Sequence, residues 1–365
     1  MIYIVTILGI IAVALSQISP RRFKYGLESA WLLIFVFLAF RYDFGNDYHN
    51  YHYIFNEITS APSFIYDDSL HFEKGWQLLC WLFKPIGFYG MVFFLTAFEC
   101  YIYYKIIKEY VPQKYYWLAV FLFVFSPGLM LIGASMMRNQ LAITIFLCSI
   151  KYIRERRVLI YLVLIYLATT IHQSAVILYP LILIGYIRNL RISKVVAYIV
   201  LICFIVLSYL GPTLSPVVER LSMLANMHEV YEVYSTSTRA GISYGIGSVI
   251  QFFIMGYTLF VIGHSDYKAN LICVLFLIGK FIEPFSASVP MVARLIYYFS
   301  SFAIVLYPIV LNESIGTVIR KGLTVRMCAL LLLIFLTLYS YYTFFQDPVW
   351  INAYSSYKTI FSATL

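Results

Sequence analysis

Residues 158–186 have the sequence VLIYLVLIYLATTIHQSAVILYPLILIGY, an apolar run with basic residues close to both ends. The run is longer than one helix needs, because about 20 apolar residues cross the hydrocarbon core of a bilayer. Basic residues mark the cytoplasmic ends of membrane helices, so both ends are expected on the same side. The run therefore predicts a helical hairpin that turns near Thr169 to Ser174.

The rest of the chain has the same apolar character. Of its 365 residues, 62% are hydrophobic and 12% are charged, and the mean hydropathy is +0.83. Soluble proteins carry about 25% charged residues, which excludes a water-soluble enzyme, a disordered chain and a nucleic-acid binder with a dense basic surface. The net charge of +9 is spread over short segments between apolar runs, as in the cytoplasmic loops of membrane proteins.

These runs predict an all-α, polytopic transmembrane bundle of roughly 11–12 helices. Several runs are short for a full crossing, which predicts broken or re-entrant helices. We expect one membrane-embedded domain over residues 1–365, both termini outside the cytoplasm, and extracytoplasmic segments at about 41–75, 211–243 and 344–365. The predicted helices cover residues 2–18, 27–40, 86–107, 115–127, 129–150, 157–171, 173–187, 195–210, 244–263, 269–284, 291–311 and 325–345.

Four arginines are predicted to lie in the outer half of this bundle: Arg41, Arg138, Arg239 and Arg294. A charge at a helix centre costs about 2.5–3.5 kcal/mol on insertion scales, so it usually faces a cavity or a partner. Guanidinium groups suit phosphate because their planar fork presents several donors. A converging set would fit a lipid diphosphate, whereas local pairing, such as Arg41 with Asp43, is the alternative.

His172 lies at the predicted outer turn. A neutral imidazole can accept a proton from a hydroxyl near neutral pH, since its ordinary pKa is about 6.5. A structural hydrogen bond is the alternative. The spacing of the histidines and of the six single cysteines specifies no metal site, so we expect neither a metal nor a cofactor.

Residues 41–51, RYDFGNDYHNY, form the densest polar and aromatic segment. Aromatic faces stack on sugar rings, and carboxylates accept hydrogen bonds from sugar hydroxyls, so this composition suits a glycan site. An aromatic belt at the membrane interface is the alternative interpretation.

A series of motifs, in this order, resembles the EpsG family of Wzy-like polysaccharide polymerases. In the segment just described the matching residues are Arg41, Gly45, Asp47, Tyr48 and Tyr51. The later motifs are Glu73-x-Gly75-Trp76, Arg138-Asn139-Gln140-Leu141-Ala142, Ile171-His172-Gln173-Ser174-Ala175, Arg294 with Tyr297-Tyr298-Phe299, and the tail 353–358. The chain departs from the pattern at Asn46, where Thr or Ser is common, and at Ala353, where proline is usual.

The resemblance implies a metal-independent membrane glycosyltransferase with a GT-C-like fold (GT-C_B type) in the bacterial cell (inner) membrane. The growing glycan on undecaprenyl diphosphate would be the donor. A non-reducing-end sugar hydroxyl of a lipid-linked repeat unit would be the acceptor. The expected partners are these lipid-linked oligosaccharides, membrane lipid and a chain-length regulator protein, with no nucleic acid. The product class, O-antigen, capsule or exopolysaccharide, stays open.

For that reaction the predicted catalytic residues are Arg138 and Arg294, which would stabilise charge on the leaving phosphate, and His172, with Asp47 as the rival general base. We expect the carboxylates and tyrosines of the substrate site to orient sugars or brace Arg41. The predicted substrate-binding residues are Arg41, Asp43, Tyr48, Tyr51, Glu73, Arg239 and Tyr298.

Three other classes of protein would share some of these features. A flippase or transporter for lipid-linked oligosaccharides would need arginines in a cavity, but the two related halves typical of transporters are not detectable in the sequence. A glycan ligase would use nearly the same chemistry. A membrane acyltransferase would use a buried histidine and leave the arginines unexplained.

Overall fold

The structure, a computed structural model, describes residues 1–18, 22–58, 72–187, 190–224, 245–263, 265–286, 290–317 and 321–362, and most of them are helical. The helices before the hairpin are α1 (Ile2–Gln17), α2 (Gly26–Ala39), α3 (Tyr48–Glu57), α4 (Lys74–Phe83), α5 (Phe88–Tyr110), α6 (Tyr116–Phe125), α7 (Leu131–Ser135) and α8 (Met137–Arg154). The later ones are α9 (Val158–Ile171), α10 (Lys194–Leu224), α11 (Ile246–Ile262), α12 (Tyr267–Ile282), α13 (Pro290–Ser300), α14 (Ala303–Thr317), α15 (Lys321–Phe344) and α16 (Pro348–Ile351). The described residues also include the 3₁₀ segments Gln113–Tyr115, Gln173–Tyr186 and Glu283–Phe285 and the short strands β1 (Arg41–Tyr42) and β2 (Lys358–Thr359).

The chain divides into two compact units, which are described separately below. The first contains Met1–Tyr186 together with Thr337–Leu365, and the second contains Ile187–Leu336. The expectation of a single domain over residues 1–365 stays a prediction.

The predicted hairpin is confirmed within the first unit. Helix α9 ends at Ile171, and the 3₁₀ helix Gln173–Tyr186 returns along it. The Tyr161 hydroxyl donates a hydrogen bond to the Leu178 carbonyl at 2.5 Å. Near the base, Arg156 Nε donates to the Gly185 carbonyl at 2.8 Å, so the chain comes back to the level at which α9 began.

Helix length and side-chain exposure both indicate a membrane protein. Among the described residues, three helical segments are long and apolar enough to cross a membrane: Phe88–Tyr110, Arg294–Glu313 and Thr324–Phe344. Helix α9 is apolar on two faces, since Ile165 is fully buried whereas Leu159 is 76% exposed. A helix that is hydrophobic all round suits a membrane environment, in which the face turned away from the protein meets lipid.

Two predicted helices are each divided in the structure. The predicted helix 129–150 consists of α7 and α8, which meet at Met136, where φ −90° and ψ 61° leave the helical region. The predicted helix 291–311 consists of α13 and α14, separated by Ser301 and Phe302. The first break matters for the site because it places Arg138 in the opening turn of α8.

The predicted outer segments also contain regular structure. Segment 41–75 holds β1, α3 and the start of α4, with residues 59–71 outside the described part. Helix α10 continues to Leu224, beyond the predicted end at 210, and residues 225–244 lie outside the described part. The C-terminal tail contains α16 and β2, and β2 pairs antiparallel with β1, with Arg41 opposite Thr359.

We expect Gly185→Ala to lower the stability of the hairpin. A Cβ at Gly185 would approach the carbonyl oxygen of Ile153 to less than 3.0 Å, and overpacking of this kind costs about 1–3 kcal/mol. Thermal unfolding in detergent, followed by tryptophan fluorescence, measures the effect. Gly247→Ala is the control, because a Cβ there meets no atom within 4 Å; equal unfolding temperatures for the two variants would contradict the prediction.

Candidate active site

The carboxylate of Glu73 connects three distant parts of the first unit. Its Oε1 lies 3.0 Å from His172 Nδ1 and also accepts a hydrogen bond from the Gln173 N–H at 3.0 Å. Its Oε2 accepts a hydrogen bond from Arg138 Nη1. The three side chains are 20%, 8% and 17% exposed for Glu73, His172 and Arg138, respectively. We call Glu73, Arg138 and His172 the Glu73 cluster.

The local sequence explains why Glu73 reaches His172. Glu73 is the residue that precedes α4, and Gly75 lies in the first turn of that helix. A Cβ at Gly75 would come within 2.5 Å of the Thr170 hydroxyl and 2.8 Å of the Thr170 carbonyl, so only glycine allows α4 to approach the end of α9 this closely. Trp76 is fully buried, with its ring 5.4 Å from that of Tyr51. The Glu-x-Gly-Trp motif therefore positions the carboxylate.

Arg138 is held by aromatic faces as well as by Glu73. Its guanidinium carbon lies 3.8 Å from the ring centroid of Phe72 and 5.9 Å from that of Tyr51. Cation–π contacts of this kind fix the plane of a guanidinium. Arg138 Nε is buried, and no residue in the described part of the chain accepts its hydrogen. Glu73 and the two rings thus hold the Arg138 side chain in one orientation.

Burial opposes ionisation of Glu73, but the hydrogen bond from His172 and the positive charge of Arg138 outweigh it and hold the pKa of Glu73 at about 2. An ionised carboxylate can only accept hydrogen bonds. His172 Nδ1 must therefore be the donor toward Oε1, and in a neutral ring the basic lone pair is then on Nε2.

The end of α9 sets the direction of the His172 ring. The residue has an extended backbone, with φ −150° and ψ 113°, and its N–H donates to the Ala168 carbonyl at 2.9 Å. His172 as a whole residue is 6% exposed. Because the helix stops there, the ring is turned toward Glu73 and is anchored by one hydrogen bond of known direction.

Arg41 is engaged differently from Arg138. The residue is 3% exposed, and its guanidinium donates to the Thr96 hydroxyl at 2.8 Å, to the Ala134 carbonyl at 3.3 Å and to the Leu38 carbonyl. The Tyr48 hydroxyl donates to the Arg41 carbonyl at 3.1 Å. Arg41 therefore joins the ends of α2 and α7, and its predicted role in substrate binding stays a prediction.

The other two predicted residues of the first unit, Asp43 and Asp47, lie between β1 and α3. The Asp43 carboxylate pairs with His49 Nε2 at 2.5 Å and with Lys358 Nζ at 3.7 Å. Asp47 begins α3, and its N–H donates to the Ser135 hydroxyl at 3.4 Å. Of the eight predicted residues in this unit, the structure brings Glu73, Arg138, His172 and Tyr51 together, and the remaining four are those just described.

Arg294 and Tyr298 belong to the second unit, on α13. Arg294 is partly exposed, and Tyr298, one helical turn later, is fully buried. Arg239 lies outside the described residues. That Arg138 and Arg294 share one cavity therefore stays a prediction.

Two contributors to this region were not among the predicted residues. Phe72 stacks on Arg138, and only its position next to Glu73 marks it in the sequence. Glu99 is a buried acid on α5 that accepts a hydrogen bond from Gln140 Nε2 at 2.8 Å. A single acidic residue inside an apolar helix is the signal that could have identified Glu99.

In the described part of the chain, no three His, Cys, Asp or Glu side chains are grouped closely enough to hold a metal ion. Independence from metal stays a prediction.

The fold and the Glu73 cluster together define an all-helical membrane protein with a buried guanidinium–carboxylate–imidazole site. A model of the EpsG family matches residues 29–359. The chain belongs to this family of Wzy-like polymerases, which confirms the resemblance seen in the motifs and indicates a polysaccharide polymerase of the glycosyltransferase type. No curated protein and no solved structure matches the chain significantly.

We expect Glu73→Gln to destabilise the protein in a pH-dependent manner. The pKa of Glu73 is lowered from 4.5 to about 2, so its ionisation stabilises the fold above about pH 4.5, and this contribution is lost as the pH falls through about 2. The difference in unfolding free energy between wild type and variant should reach at most about 3 kcal/mol at neutral pH and shrink toward pH 3. Thermal unfolding in detergent at several pH values measures it.

Glu109→Gln is the matched control, since Glu109 forms a more exposed ion pair with Arg154 at 3.6 Å, and such pairs contribute about 0–1 kcal/mol. A Glu73→Gln variant as stable as wild type at neutral pH would argue against an ionised, paired Glu73.

Proposed function

We propose that this chain elongates a polysaccharide by transferring the growing glycan from undecaprenyl diphosphate to a non-reducing-end sugar hydroxyl of a lipid-linked repeat unit, on the extracytoplasmic side of the bacterial cell membrane. The observation that carries the proposal is the Glu73 cluster, in which one ionised carboxylate holds a guanidinium and an imidazole. Family membership supports the class of reaction, and the cluster supplies the two groups that such a reaction needs.

Arg138 is the group proposed to meet the leaving diphosphate. As the bond between the anomeric carbon and the phosphate oxygen breaks, negative charge builds on the phosphate, and oriented donors in a site shielded from water stabilise that charge. Glu73 engages Nη1, and the Arg138 side chain stays 17% exposed, so the rest of the guanidinium can meet a phosphate. Phe72 and Tyr51 hold the guanidinium plane, so the donor is in place before the charge develops.

His172 is the proposed general base. The acceptor hydroxyl attacks the anomeric carbon of the donor glycan, its proton passes to His172 Nε2, and undecaprenyl diphosphate departs with the electron pair of the broken bond. Glu73 keeps the proton of the neutral ring on Nδ1 and stabilises the imidazolium that forms, as carboxylates do beside catalytic histidines. Asp47, which directly precedes α3, is the rival candidate for the base.

The remaining assignments rest on the sequence motifs. Arg294 is proposed as a second cation for the diphosphate, and Tyr298 and Arg239 as further substrate contacts. The GT-C-like fold, the location in the inner membrane and the outward orientation of both termini are proposed on the same basis. A chain-length regulator is proposed as a protein partner.

We expect Arg138→Ala and His172→Ala each to reduce polymer formation by about 100-fold or more, the range measured for loss of a charge-stabilising donor or of a general base in other enzymes. The assay combines purified protein in nanodiscs with lipid-linked repeat units that have already been extracted, and separates the glycan products by length. A ladder of products distinguishes a polymerase from a ligase, which would leave single transfer products.

Arg154→Ala is the matched control, because Arg154 lies on the same helix as Arg138 and pairs with a glutamate of its own. Its activity should stay within about twofold of wild type, since partly exposed pairs contribute little. Unreduced chain growth by Arg138→Ala would remove the leaving-group assignment, and unreduced growth by His172→Ala would remove the base.

A further inference from the structure

A polar cavity of about 220 Å³ in the first unit lies between the segment after β1 and the C-terminal tail. We call it the tail cavity. The side chains that matter for its chemistry are Asp43, Asn46, His49, Asn352, Ser355 and Ser356. Two segments that are more than 300 residues apart in sequence thus form one concave surface.

Two tyrosines, Tyr354 and the half-buried Tyr357, fix the tail side of this cavity. Tyr354 is 2% exposed, and its hydroxyl donates to the Leu131 carbonyl at 2.7 Å. The Tyr357 hydroxyl donates to the Phe37 carbonyl at 2.6 Å, and its ring stacks on Phe37 at a centroid distance of 4.5 Å. Ser355 and Ser356 lie between these anchors and are exposed. The inward tyrosines therefore hold two hydroxyl groups at the cavity wall.

The opposite wall has an unusual backbone. Asp43 has φ 51° and Gly45 has φ 87°, both in the left-handed region that few residues adopt. A Cβ at Gly45 would collide with Ser135, and the Gly45 N–H donates to the Ala353 carbonyl at 3.4 Å. Glycine adopts a positive φ readily, so the uncommon conformation on this wall is that of Asp43. This wall is therefore shaped by its contacts with α7 and the tail.

The groups on the two walls have the chemistry of a sugar site. A sugar ring carries hydroxyls that both donate and accept, and the cavity offers a carboxylate, two amides and two serine hydroxyls. Among the described residues, the side chains of Asn352, Ser355 and Ser356 form no hydrogen bond with another residue. The volume is smaller than the roughly 300–1,000 Å³ of sites for drug-sized molecules, which suits one ring rather than several.

We propose that the tail cavity binds one sugar ring of the lipid-linked glycan, so that the C-terminal tail is a glycan subsite separate from the Glu73 cluster. This inference rests on the proposed function, since it is that function which brings a glycan to the outer side. Asp43, which His49 and Lys358 keep paired, would accept hydrogen bonds from ring hydroxyls. Asn352 and the two serines would contact the same ring from the tail.

The test measures binding rather than turnover, in a His172→Ala background that prevents elongation. The two probes are the lipid-linked repeat unit that accumulates in cells from which this gene is deleted, and undecaprenyl diphosphate without sugar. Into that background we introduce Asn352→Ala or the double change Ser355→Ala with Ser356→Ala. Each should weaken binding of the repeat unit by about tenfold or more and leave binding of undecaprenyl diphosphate unchanged, as expected for lost hydrogen bonds to sugar alone.

The reference variants make the outcomes distinguishable. Arg138→Ala should weaken the binding of both probes, since Arg138 is proposed to contact the diphosphate that both contain. Ser362→Ala is the matched control, because Ser362 lies in the same tail, bonds to Thr359 and does not line the cavity; it should change neither. Two outcomes would overturn the subsite. In the first, the cavity variants bind the repeat unit as tightly as the His172→Ala background does. In the second, they lose the same affinity for both probes. A protein that binds glycan in this manner but forms no polymer would instead overturn the proposed function alone.

Discussion

The ionised carboxylate of Glu73 is the interaction on which the candidate active site depends. It contacts Arg138, which is 65 residues away in sequence, and His172, which is 99 residues away. These contacts join the starts of α4 and α8 to the end of α9. Replacing a whole buried ion pair by apolar residues is often neutral, although removing one partner alone is costly, so such a pair is not explained by net stability. The arrangement is better explained by orientation. One carboxylate fixes the direction of a guanidinium and the tautomer of an imidazole at the same time.

The parts of this site that could be predicted from the sequence are those marked by a short, continuous stretch of it. The hairpin at residues 158–186 follows from an apolar length and two basic ends, so His172 was expected at an outer turn. Arg138 was expected to be functional because a guanidinium inside an apolar run is costly. Their meeting through Glu73 could not be predicted, because no periodicity or spacing reports a contact between residues so far apart. Glu73 was expected to orient sugars or brace Arg41, which stays a prediction, and its contacts with Arg138 and His172 were not foreseen.

The contact between the segment after α2 and the C-terminal tail shows a different limit of sequence patterns. Strands β1 and β2 have two residues each, which is too short for an alternating pattern to be recognised. The pairing of Arg41 with Thr359 closes the tail onto the segment after α2, and the tyrosines that anchor it cannot be distinguished by composition in a chain with 34 tyrosines. The tail cavity forms between residues 43–49 and 352–358, and no sequence pattern reports the contact between these two segments.

The short helix α7 links the two regions physically. Its Leu131 carbonyl accepts from Tyr354 of the tail, its Ala134 carbonyl accepts from Arg41, and its Ser135 hydroxyl accepts from the Asp47 N–H. Since α7 ends at Met136, directly before the turn that carries Arg138, the outer segment and the tail together fix where α8 begins. The contacts that shape the tail cavity therefore also determine the position of Arg138 at the start of α8. A sugar ring held in that cavity would rest on the structure that positions the proposed diphosphate contact, so that glycan recognition and leaving-group stabilisation would share one rigid support.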